Sequence, residues 1–177
     1  RYVQGVRVDR GLEEARVLES SGFAFGRSKL YLISGGAGGI GLVLAKHLGQ
    51  SYGAHIVLIG RRPSMPEDVL EELRSHCASA MYYSADACNL LELQRVIPAD
   101  VIAKVNGVIH CAGLIRDAFL LNKSEADFEA VLKPKLEGCR NLDVLTRGSP
   151  VEFFVVCSSI AALLPNQGQA DYASANS

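Results

Sequence analysis

The stretch Leu30-Tyr31-Leu32-Ile33-Ser34-Gly35-Gly36-Ala37-Gly38-Gly39-Ile40-Gly41 decides the fold. A short apolar run stops at a serine, and a glycine-rich turn leads straight into the helical pattern Leu42 to Leu48. A turn this tight needs positive φ, and a backbone that must approach a ligand closely cannot carry side chains there. The helix that follows offers free N–H groups and a partial positive charge, a setting that suits a pyrophosphate. A glycine-rich turn without a ligand is the bland alternative, and placement between a first strand and a helix weighs against it. Ser34, Gly35, Gly36, Gly38, Gly39, Ile40 and Gly41 are therefore candidate residues for binding a dinucleotide.

Outward from this turn, four more short apolar runs recur: Ala54 to Gly60, Ser79 to Ser84, Val105 to His110 and Glu152 to Ser158. Longer helical patterns separate them. That alternation predicts an α/β fold, a doubly wound parallel sheet of Rossmann type with helices on both faces and the chain stopping after the fifth strand. Two helix starts are written in Ser64-Met65-Pro66-Glu67 and Ser124-Glu125-Ala126-Asp127, each with serine at the N-cap and an acid three residues on. Pro134 inside the second helix should kink it and re-aim Lys135. In the first segment Tyr2, Val3, Val6 and Val8 roughly alternate before a polar stretch runs to Ser28, which predicts one closing strand of an upstream unit plus a connector. Both ends of the chain are expected to be cut, since a helix that should begin near Asn176 has no body.

Composition bounds the function. The chain has 177 residues, 49% of them apolar and 21% charged, enough to bury a core as one domain. A net charge of −1 supplies no electrostatic reason to expect nucleic acid or an anionic membrane as partner. No apolar run reaches the roughly 20 residues that span a bilayer, and a cytoplasmic protein is expected. Five cysteines (Cys77, Cys88, Cys111, Cys139 and Cys157) without a C-x-x-C pair suggest neither a disulfide framework nor a zinc site, and no metal is expected.

Further residues speak to cofactor and chemistry. The second strand ends in Arg61-Arg62, where a carboxylate would serve the ribose hydroxyls of NAD; arginine there pairs instead with a 2′-phosphate, so NADPH is expected. Asp86, after the third strand, is placed to meet the adenine edge. Hydride transfer to a ketone builds negative charge on oxygen. The site then needs a proton donor, a second hydrogen bond to that oxygen and a cation that makes a phenol easier to ionise. Tyr172, Ser159 and a lysine meet those needs, and Asn176 lies one helical turn from Tyr172 on the same face.

With these residues in place the chain resembles the short-chain dehydrogenase/reductase superfamily, and within it the ketoreductase domain of modular polyketide synthases. Most such reductases carry lysine four residues after the tyrosine, whereas this chain reads Tyr172-Ala173-Ser174-Ala175-Asn176. The ketoreductases exchange the two, and the resemblance assigns the lysine to Lys135 in Lys133-Pro134-Lys135-Leu136-Glu137-Gly138, in preference to Lys133. His110-Cys111-Ala112-Gly113 resembles the family's H-A-A-G, which implies that the backbone of Ala112 and Gly113 lies near the cofactor. Phe154 through Ala161 resembles its F-S-S-x-A-G segment, departing at Cys157 and at Ala162.

The resemblance implies two regions: residues 1–28, the end of an upstream structural subdomain and its linker, and 29–177, a C-terminally incomplete NADP-binding catalytic domain. It implies catalytic roles for Lys135, Ser159, Tyr172 and Asn176, and NADPH as cofactor. The implied reaction is reduction of a β-ketoacyl thioester to the β-hydroxyacyl thioester. The partners so implied are an acyl carrier protein bearing the phosphopantetheine-linked chain and neighbouring synthase domains in the same polypeptide. Ile115-Arg116-Asp117-Ala118-Phe119 and Gln169-Ala170-Asp171-Tyr172 resemble synthases whose acyltransferase is a separate protein. Asp117 keeps the last residue of the Leu-Asp-Asp marker, and Val156 stands where the other class has tryptophan, which points to the D-hydroxy product. Two other readings are open: a cofactor-binding module or fragment without turnover, and a stand-alone reductase. The lysine position and the upstream strand disfavour the second.

Overall fold

The computed structural model describes residues 2–7, 25–164 and 166–177. At the start, β1 (Tyr2–Val3) and β2 (Val6–Arg7) pair antiparallel around Gln4-Gly5. The single closing strand expected over this segment is thus a hairpin, because Gln4 and Gly5 take φ of 50° and 78° and reverse the chain in the left-handed region that two-residue hairpins demand. Val8 and the connector up to position 24 lie outside the described residues.

From Leu30 onward strands and helices alternate. In chain order come β3 (Leu30–Ser34), α1 (Gly39–Tyr52), β4 (His55–Gly60), α2 (Glu67–His76), β5 (Ser79–Ser84), α3 (Leu90–Val96), α4 (Ala99–Ile102) and β6 (Val105–His110). A 3₁₀ turn at Leu120–Asn122, α5 (Glu125–Thr146), β7 (Phe153–Val156), a 3₁₀ turn at Ile160–Ala162 and α6 (Ala170–Ala175) complete the described elements. The five strands form one parallel sheet in the order β5-β4-β3-β6-β7. Strand order reverses beside β3, where the chain crosses from one half of the sheet to the other, and open α/β sheets bind ligands at that crevice.

The two-residue period of the strands sorts the core onto two faces. Tyr31, Ile33, Ile56 and Leu58 pack with Ala45, Leu48, Leu70 and Leu73 under α1 and α2. Leu30, Leu32, Val57 and Ile59 pack with Leu93, Ile97, Leu142 and Leu145 under α3 and α5. Hence β3 is buried along its whole length and reads as an unbroken apolar run. β7, at an edge of the sheet in this chain, leaves Val155 and Val156 46% and 41% exposed.

Some boundaries differ from the sequence reading. α1 begins inside the glycine run rather than at Leu42, and β7 is shorter than Glu152 to Ser158. Ser64 does not cap α2: Pro66 occupies the cap position without a side-chain hydrogen bond, its fixed φ and missing N–H suiting the point where a helix opens. Ser124 does cap α5, accepting the Asp127 N–H at 3.1 Å. α5 continues through Pro134 for a total of 22 residues. Among the described residues no helix is long and apolar enough to cross a membrane.

Candidate functional site

The turn between β3 and α1 is shaped by backbone meeting backbone. Gly35 has φ of +69°, and a Cβ there would lie 2.8 Å from Ala112 N, so the turn needs glycine for conformation and for space alike. A Cβ on Gly41 would meet Gly35 O at 2.6 Å, which keeps the first turn of α1 pressed onto the loop. Gly35 and Gly36 N–H both reach Ile59 O, at 2.9 and 3.3 Å, and tie the turn to β4. The first bond of α1 runs from Leu42 N–H to Gly38 O, which leaves the N–H groups before it without an intrahelical acceptor.

Over this turn opens a cavity of about 660 Å³. Ser34, Gly35, Gly38, Gly39, Ile40, Gly41, Arg61, Asp86, Ala112 and Gly113 all line it. Gly36 does not line it, since its α-carbon faces Leu58, whose Cδ2 would lie 2.5 Å from an added Cβ. Arg62 borders an adjoining recess shared with Ala37, Gly38, Gly60 and Arg61. Asp86 accepts the Cys88 N–H at 2.9 Å, an Asx turn that fixes its carboxylate on the cavity wall, while burial and that carboxylate push the Cys88 thiol up to about 12.

Ser34 and His110, both fully buried, end the two central strands side by side. His110 Nε2 lies 2.7 Å from Pro134 O, which can only accept, so Nε2 carries the proton. Nδ1 then accepts from Ser34 Oγ at 2.5 Å. Burial lowers the His110 pKa, and the charge of Lys135 adds to that. A Cβ on Gly138 would sit 2.9 Å from His110 Cε1, so a small residue in α5 is what admits the ring. In sequence, His110 ends an apolar run and opens the His110-Cys111-Ala112-Gly113 motif. Its role as a strut between sheet and α5 emerges from the fold.

That strut sets Lys135. Its Nζ donates to Cys157 O at 2.5 Å, just past β7, and a Cβ on Gly113 would lie 3.6 Å from the same nitrogen. Lys135 thus stands directly behind the cavity wall, with its pKa lowered by burial. Lys133, by contrast, lines the cavity itself and is exposed. Cys111 and Cys157, neighbours across β6 and β7, bring their sulfurs to 3.2 Å, and burial with that contact pushes the Cys111 thiol up to about 12.

The remaining site candidates gather on α6 and the turn after β7. Ser159 Oγ accepts Ala161 N–H at 3.2 Å. Ser158 Oγ donates to Asn176 O at 2.5 Å and docks the end of α6 against β7. Asn176 is 8% exposed; its Nδ2 donates to Tyr172 O at 2.8 Å while Oδ1 has no partner among the described residues. α6 packs on α5 and on the 160–162 turn, so Tyr172, Ser159 and Lys135 stand on neighbouring elements. Among the described residues none of the three hydrogen-bonds another.

Comparison with known proteins agrees with this geometry. The chain is 40% identical over 154 residues to polyketide synthase PksN of Bacillus subtilis (strain 168), covering 83% of this chain and 3% of that protein. Among solved structures, a ketoreductase from the macrolactin assembly line superposes with a TM-score of 0.79 at 37% identity, over 92% of this chain and 34% of that one. A ketoreductase domain from the bacillaene assembly line gives 0.78 at 34% identity, over 90% and 40%. The chain therefore spans 3% of the curated synthase and 34% and 40% of the two solved ketoreductase chains. The model of the KR domain matches residues 29–177, from the strand that opens the glycine turn through Tyr172, and the chain belongs to that ketoreductase family.

Proposed function

We propose that this chain is the cofactor-binding core of an NADPH-dependent β-ketoacyl reductase that acts on an acyl-carrier-protein thioester during polyketide assembly. The observation that carries the reading is one cavity bounded by the glycine turn, Arg61, Asp86 and Gly113, with Lys135 directly behind Gly113. The cavity's volume falls in the range of small-molecule sites, roughly 300–1,000 Å³. The donor set fits NADPH. Free N–H groups at the start of α1 suit the pyrophosphate, Arg61 and Arg62 suit a 2′-phosphate, and Asp86 suits the adenine edge.

When bound, NADPH supplies the hydride that adds to the ketone carbon. Tyr172 donates its phenolic proton to the ketone oxygen, and the Ser159 hydroxyl donates a second hydrogen bond to that oxygen. The buried ammonium of Lys135 makes the resulting phenolate less costly. Asn176 Oδ1, buried without a partner among the described residues, accepts a hydrogen bond from a water that returns the proton to Tyr172. The product is a β-hydroxyacyl thioester, with a lean to the D-hydroxy class through Asp117. Neighbouring synthase domains in the same polypeptide are proposed partners, and the setting is cytoplasmic.

The test is loss of NADPH absorbance with a small β-ketoacyl thioester in the full-length protein, comparing wild type with Tyr172→Phe and Lys135→Ala. Turnover that collapses in both variants with NADPH binding retained supports the reading. NADPH binding without turnover in the wild type would replace it with the alternative, a cofactor-binding module that does not reduce.

A further inference from the structure

Two stretches far apart in sequence are locked together beside the cavity. The loop after β6 lines it with Ala112, Gly113, Leu114 and Arg116, while α6 carries Tyr172 in its first turn. Lys123 Nζ joins them, donating to Arg116 O at 2.5 Å and to Asp171 Oδ2 at 2.7 Å. The other Asp171 oxygen accepts the Tyr172 N–H at 2.8 Å. One ammonium thus connects the cavity-lining loop to the residue before Tyr172. Two weaker ties run alongside: Ala118 N–H donates to Gly168 O at 3.0 Å, and Gln169 Nε2 donates to both Asp117 oxygens at 3.0 and 3.2 Å.

The depth of the pair asks for an explanation. The Lys123 and Asp171 side chains are 1% and 0% exposed, whereas every other ion pair among the described residues leaves both partners at least 29% exposed. Stability does not account for it, because the cost of desolvating two ions offsets most of their attraction and a neutral pair of similar shape often serves as well. Direction does account for it. An ammonium with fixed acceptors on two segments holds them in one arrangement, which an apolar contact would not.

We propose that Lys123 and Asp171 are positioning residues that hold the first turn of α6, and with it Tyr172, in one place against the cavity-lining loop. The role of Tyr172 as proton donor rests on the reaction proposed above, whereas the clamp itself does not.

The experiment compares wild type, Lys123→Met, Asp171→Asn and the double variant in the full-length protein. Melting temperature, NADPH affinity, kcat and peptide-level hydrogen exchange over residues 114–119 and 166–172 are followed. Lys123→Met alone leaves a buried carboxylate unpaired and lowers the melting temperature. The double variant, neutral at both positions, recovers most of the melting temperature and binds NADPH as wild type does. Its kcat stays down ~10- to 100-fold, the scale of a small misplacement of a reacting group, and exchange in the two segments stays fast. A double variant that regains kcat and slow exchange together with stability would overturn the proposal and leave a purely structural pair. Asp171→Asn, which keeps shape and an acceptor oxygen, decides the matter if the double variant does not fold: fast exchange in both segments supports the clamp, and unchanged exchange refutes it. A wild type that binds NADPH without reducing the thioester would refute the reaction alone, since the exchange comparison still tests the clamp.

Discussion

At the glycine-turn end of the site, backbone touches backbone. Gly35 lies against Ala112, Gly41 against the Gly35 carbonyl, and both Gly35 and Gly36 are pinned to Ile59 O. At the Tyr172 end, beside one backbone bond from Ala118 N–H to Gly168 O, the ties are side-chain hydrogen bonds that reach across the chain. Ser158 to Asn176 spans 18 residues, Lys135 to Cys157 22, and Lys123 to Asp171 48. Short-range sterics shape the first end, so Gly35, Gly36 and Gly41 have no room for an added atom, whereas a Cβ on Gly38 would meet open space. Polar partners chosen over long separations shape the second, so it can be retuned by changing one side chain without disturbing the sheet. The contrast is between an end set by steric contact and an end set by polar partners.

Four substitutions would break or sharpen that contrast. Tyr172→Phe removes the proposed proton donor while leaving the glycine turn untouched. Thioester reduction should fall ~10²–10⁴-fold with NADPH affinity and melting temperature unchanged, read by steady-state kinetics and a binding titration. Gly35→Ala should do the reverse in kind: strain at positive φ costs about 1–3 kcal/mol in a urea melt, and NADPH binding is lost with it, because the new methyl meets the Ala112 backbone. Arg62→Ala should weaken NADPH roughly 10- to 150-fold and leave NADH unchanged, since a charge-assisted bond to a 2′-phosphate is worth about 1.5–3 kcal/mol.

The smallest effect concerns pH. Burial lowers the His110 pKa in the folded protein, so the unfolded chain binds more protons than the folded one between that lowered value and the ordinary histidine value of about 6.5. The stability tied to neutral His110 is fully present above that ordinary value and is lost as pH falls toward the folded one. The slope cannot exceed about 1.4 kcal/mol per pH unit for one proton. His110→Gln should flatten this part of the profile, seen as urea midpoints that change less between neutral and acidic pH than in wild type.

Strands and the glycine turn were legible from residues alone. β3, β5 and β6 lie where the apolar runs stand, and β3, buried on both faces, is the most apolar of them. The opening segment was misread as one strand because alternation is also what the two arms of a short hairpin show. Gln4-Gly5 marks the reversal only once its positive φ is seen. Ser64 was misplaced for a related reason: serine with an acid three residues on is a capping pattern, yet the helix opens after Pro66.

For the site, the sequence by itself pointed to Gly35, Gly38, Gly39, Gly41, Arg61 and Asp86, which line one cavity, since glycines in a turn, an arginine at a strand end and an aspartate after the next strand are local facts. It could not show that Gly36 packs on Leu58, that His110 braces Ser34 against Pro134, or that Lys123 lies buried on Asp171. A lysine between two loops reads as a solvated charge until the chain beyond it folds back. Only the tertiary structure decides which polar group finds which partner, because a hydrogen bond depends on distance and angle between atoms that the linear order leaves far apart.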